Sequence, residues 1–167
     1  MKRQILFLCI AMVGFAGLLF AADLVPSAPN GITIPENYKD WRVVSSSHRD
    51  DNKTLRVILG NNKAIEAARS GKTNPWPDGS IMAKVVWKDT VHPNWATAIV
   101  PGDFVLAEFM VKDSKKYKET GGWGFARWLG LDQKPYGTDP SFVKECFGCH
   151  TPVKNNDYVF THPSRFP

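Results

Sequence analysis

The chain has 167 residues, 43% of them hydrophobic and 12% aromatic, with 21 Lys+Arg against 16 Asp+Glu. That length and apolar content suit one domain with a real core, and argue against a disordered tail or a multi-domain assembly. The net charge of +5 is mild and its basic residues form no stripe, so a nucleic-acid partner is not expected.

Lys2 and Arg3 precede an almost uncharged apolar run from Ile5 to Phe20, which ends in Ala21-Ala22-Asp23. This pattern reads as a secretory signal peptide over residues 1–22, with cleavage after Ala22. The run is short of the about 20 apolar residues of a membrane span, and Pro26, Pro29 and Pro35 follow it in place of a basic flank. Phe20 stands where a small residue is preferred, which keeps an uncleaved N-terminal anchor as the alternative. Loss of Lys2 and Arg3 leaves 19 basic against 16 acidic residues, a charge of +3 on a single mature domain, 23–167. The expected location is the periplasm.

Residues 23–40 read as a lead-in, broken by Pro26, Pro29, Asn30-Gly31 and Pro35. Thr54 to Leu59 alternates, with Leu55, Val57 and Leu59 on one face and Thr54, Arg56 and Ile58 on the other, which predicts a strand. Asn61 or Asn62 caps a short helix through Ala64, Ile65, Ala67 and Ala68, with Gly71 as its stop. Asn74 to Gly79 is turn chemistry throughout. Ser80 to Lys88 is a second strand, with Ser80, Met82, Lys84 and Val86 sharing a face. Trp95 to Val100 and Phe104 to Lys112 follow, joined by Pro101-Gly102-Asp103 in what reads as a hairpin turn. Asp113 or Ser114 caps a polar turn from Lys115 to Glu119, and Trp123 to Trp128 is a further strand. Asp139-Pro140 starts a last helix that runs toward Cys146. The fold class is therefore α+β, an antiparallel sheet with a few helices, the C-terminal one carrying the cysteines.

Cys9 lies in the signal segment, so the mature chain holds only Cys146 and Cys149, in Cys146-Phe147-Gly148-Cys149-His150. In an exported protein this is the pattern for one covalent c-type haem: thiols on one helical turn add to the vinyl groups, and the next residue supplies an imidazole to the iron. A thioredoxin-like pair would follow an early strand, whereas this one lies 18 residues from the C-terminus. Structural zinc would need a second cluster, and His48, His92 and His162 are isolated. A disulfide across so short a step is geometrically awkward.

No Met follows His150, so a sixth iron ligand would come from upstream, with Met82 and Met110 as candidates. A strand Met more commonly fills core. Glu108 shares a face with Leu106 and Met110, an acid among apolar neighbours. A carboxylate there is costly unless paired or functional, and the alternative is an edge-strand residue facing water.

Ile34-Pro35-Glu36-Asn37-Tyr38, Arg56 to Asn61, Pro75-Trp76-Pro77-Asp78-Gly79, Gly121-Gly122-Trp123-Gly124-Phe125 and the terminal Cys146 to His150 together resemble the cytochrome P-460 and cytochrome c'-beta superfamily. The resemblance covers nearly all of the mature chain. It implies a homodimeric periplasmic haem protein with His150 as the only protein axial ligand and an open distal side. Members bind nitric oxide or oxidise hydroxylamine, and the oxidisers carry a lysine bonded to a meso carbon of the porphyrin. Aligned on that pattern, Arg56 and Glu108 take the distal arginine and carboxylate positions, and Met82 takes the lysine position. A slip of two residues would restore Lys84, which shares its strand face and otherwise reads as a solvated or propionate-pairing lysine.

With Glu108 raised in pKa by desolvation and lowered by Arg56, a base near neutral pH is expected. It would take a proton from peroxide or hydroxylamine while Arg56 steadies developing negative charge. Three functions follow: a peroxidase-like redox enzyme without the lysine link, a cross-linked hydroxylamine oxidase, or a nitric-oxide-binding or electron-carrying cytochrome served by a redox partner protein.

Overall fold

A computed structural model of the chain describes residues 25–166. The signal segment and its cleavage after Ala22 lie outside the described residues.

The architecture is α+β. Six antiparallel strands run in sequence order, β1 (Arg42–Arg49), β2 (Thr54–Gly60), β3 (Ile81–His92), β4 (Trp95–Lys112), β5 (Trp123–Leu129) and β6 (Lys134–Pro135). Helix α1 (Asn62–Ser70) connects β2 to β3, and α2 (Val143–His150) follows the sheet.

Asn61 is the cap of α1: its side chain accepts from the Ala64 amide at 2.9 Å and from the Ile81 amide at 3.1 Å, so one residue starts the helix and ties it to β3. Gly71 ends the helix in the left-handed region, with φ +71°. The last helix starts as the sequence predicts, with the Asp139 carboxylate accepting from the Ser141 amide at 2.8 Å and Pro140 opening a 3-10 turn that leads into α2.

Two sequence expectations are corrected. Pro101-Gly102-Asp103 is not a turn: β4 runs through it, and the hairpin turns at Pro93-Asn94. Pro101 is tolerated because β5 pairs β4 only from Leu106 to Lys112, which leaves β4 as an edge of the sheet at Pro101. The second correction is β1, a strand the alternation reading passed over because Ser45-Ser46-Ser47-His48-Arg49 carries no apolar period.

The sheet has two covered faces. Phe109 and Trp128 fill the one away from α2, stacked edge to face at 5.5 Å, with Tyr38 against Phe109 at 5.2 Å. The lead-in is stitched there by hydrogen bonds from Trp128 Nε1 to the Pro26 carbonyl (2.9 Å) and from the Asn30 amide to the Phe125 carbonyl (2.8 Å). Alternation sends Met82, Lys84, Glu108 and Met110 to the opposite face, toward α2 and the C-terminal segment.

Candidate functional site

A cavity of about 640 Å³ lies between this second face, α2 and residues 159–162. Strand register builds its wall. Ile58 stands opposite Lys84, Lys84 opposite Glu108, and Glu108 opposite Arg127, a row across four strands. The adjoining row is Gly60, Met82, Met110 and Phe125, which makes that part of the wall apolar.

Glu108 lies on an interior strand with only 19% of its side chain exposed, so the reading of a water-facing edge residue is set aside. Its carboxylate holds two cations: Lys84 pairs with Oε2, and Arg127 Nε stands 2.5 Å from Oε1. Burial pushes this carboxyl up, but Lys84 and Arg127 together outweigh burial and hold it below the ordinary glutamate range. The expectation of a base near neutral pH is corrected accordingly: cross-strand register supplies two nearer cations than Arg56.

Arg127 also ties the sheet to α2. Its Nη1 lies 3.4 Å from Glu145 Oε1, its guanidinium covers the Tyr136 ring at 4.5 Å, and the Tyr136 hydroxyl donates to Glu145 at 2.7 Å. Arg56 lies one step along the face, its Nη2 donating to Thr54 Oγ1 at 3.3 Å while Nε is buried without a partner. Burial, and then the neighbouring Arg49, push its pKa down, the condition of a cation that an anion would stabilise.

On α2, Cys146 is buried, Cys149 is exposed, and neither is in a disulfide. Both border the cavity with His150. The His150 ring packs between Phe125 (5.1 Å) and Phe160 (5.2 Å), and its Nδ1 lies 2.6 Å from the Tyr158 carbonyl. A carbonyl only accepts, so Nδ1 carries the proton and Nε2 keeps its lone pair for a metal. Burial pushes this imidazole below the ordinary histidine range against the pull of the Tyr158 carbonyl, which favours the neutral form a ligand needs.

Seven residues picked from the sequence, Arg56, Met82, Lys84, Glu108, Cys146, Cys149 and His150, thus border one cavity. Arg127 and the Tyr158 carbonyl were missed. Alternation along β5 places Arg127 with Phe125 and Trp123 on one face, the same signal that singled out Glu108. A backbone carbonyl eight residues beyond a histidine leaves no trace in composition or spacing.

The residues fit a covalent haem: two free thiols a helical turn apart, a neutral imidazole with one nitrogen spare, an apolar wall for a flat ring, and the orphaned Arg56 Nε for an acidic edge. The fold and this donor set define the class, a haem protein of the c-type cytochromes. The family model described as Cytochrome P460 matches residues 35–161, and the chain belongs to that family. Membership implies a haem cofactor. No curated protein matches the chain.

Proposed function

We propose that the chain is an exported cytochrome whose single haem is held by Cys146 and Cys149, with His150 as its axial ligand and the other side open to small ligands such as peroxide, nitric oxide or hydroxylamine, and that it works as a peroxidase-like redox enzyme. The observation that carries this reading is the pairing, across one cavity, of the spare His150 Nε2 with the charged Lys84, Glu108 and Arg127 row.

The haem supplies a redox-active iron that binds and activates a small ligand. Glu108, held ionised at neutral pH by Lys84 and Arg127, would accept a hydrogen bond from a small ligand in the cavity. Its low pKa makes it a stronger electrostatic anchor than a base. Lys84 and Arg56 place positive charge where negative charge develops on oxygen, and Met82, Met110 and Ile58 keep bulk water from the ring face.

Lys84 favours a second reading. Its ammonium reaches the cavity through its pair with Glu108, so it is available for the porphyrin bond of the hydroxylamine oxidisers. The intact mass of the denatured, haem-loaded protein separates the two: a simple haem adduct supports the first, and a further loss of two hydrogens that Lys84→Arg abolishes supports the second. Turnover of peroxide with an organic donor tests the activity, and a Glu108→Gln variant as fast as the wild type removes Glu108 from the mechanism. Nitric-oxide binding without turnover of either substrate would leave a gas-binding or electron-carrying protein.

A further inference from the structure

Lys112 and Asp157 form the most buried ion pair among the described residues, with side chains 5% and 8% exposed and Lys112 Nζ 2.7 Å from Asp157 Oδ1. Neither borders the cavity, and neither is used by the chemistry above.

Their surroundings are those of a backbone clamp. Asp157 Oδ2 accepts from the Trp76 amide at 2.8 Å, and its carbonyl accepts from Trp123 Nε1 at 2.8 Å. Lys112 Nζ also donates to the Gly121 carbonyl at 3.2 Å and lies over the Trp123 ring at 4.9 Å. Asp157 is fixed from three directions, by the 70s loop, by β4 and by β5.

Asp157 and Tyr158 both sit in the left-handed region, at φ +49° and +62°. Side-chain-bearing residues adopt it in succession only when the surroundings impose it. This double turn swings the Tyr158 carbonyl to 2.6 Å from His150 Nδ1. The Tyr158 ring fills a slot left by Gly121, where an added Cβ would stand 2.1 Å from the ring.

We infer that the Lys112–Asp157 pair is a positioning device for the haem iron's axial ligand: it holds the Tyr158 carbonyl on the His150 Nδ1 proton, and so sets imidazole orientation and basicity from behind. This rests on His150 being the axial ligand. A hydrogen bond at the far nitrogen makes imidazole a stronger donor, and a stronger donor favours the ferric over the ferrous state.

The test uses the haem-loaded full chain with Lys112→Met, Asp157→Asn and Gly121→Ala, the last displacing Tyr158 without removing a charge. All three are expected to weaken the hydrogen bond, shift the one-electron equilibrium toward ferrous iron by roughly tenfold, equal to a rise of about 59 mV in reduction potential, and lower the iron–histidine stretching frequency. The double variant Lys112→Met with Asp157→Asn leaves no unpaired buried charge and serves if a single variant fails to fold. Variants that melt earlier but keep the wild-type potential and stretching frequency would make the pair merely structural and overturn the inference. His150→Ala tests the underlying reading apart from it, because an iron–histidine band that survives this change removes His150 as the ligand.

Discussion

Glu108 and Arg127 face one another across β4 and β5, Nε to Oε1 at 2.5 Å, and the same arginine reaches Glu145 on the helix that carries Cys146 and Cys149. One side chain thereby joins the charged wall of the cavity to helix α2. Glu108→Gln removes the carboxylate and leaves Lys84 and Arg127 as like charges on flanking strands. The expected loss is about 2 kcal/mol, less than at a fully buried pair, because Lys84 keeps 34% of its side chain exposed. Urea unfolding of the variant measures it.

The same carboxylate gives stability a direction in pH. Its pKa is lowered in the folded protein, so its contribution is complete above the unfolded value of about 4.3 and is lost as pH falls through the lower native value. Urea midpoints of the wild type and Glu108→Gln should differ at pH 7 and converge on acidification below about pH 4. A gap that widens in acid would mean that the carboxyl is not held down by its cations.

The thiols should act independently as tethers. Cys146→Ala and Cys149→Ala should each retain haem through one bond under denaturing electrophoresis with haem staining, and the double variant should release it. Staining that survives loss of both would place the attachment elsewhere.

The sheet was legible where one face is buried. Alternation in residues 54–59, 80–88 and 104–112 assigned Arg56, Lys84 and Glu108 each to a face of its own strand, and cross-strand register, fixed by burial of the other face, brings the three together. It failed for β1, whose serines pair through backbone with little apolar burial, and at Pro101, where turn residues lie on an open strand edge. The thiols and His150 were readable because their chemistry demands fixed spacing. The cations on Glu108 were not, since they come from neighbouring strands 24 residues before it and 19 after it, and the choice between them depends on pairing that no local window contains.

The ferric optical spectrum of the matured protein tests the central claim most directly. A haem held by Cys146 and Cys149, with His150 on one side and the charged pocket open on the other, should give a high-spin, five-coordinate iron that turns low-spin when a small ligand such as cyanide is added. A low-spin, six-coordinate iron that ignores the ligand, with Met82→Leu or Met110→Leu restoring the high-spin form, would contradict it.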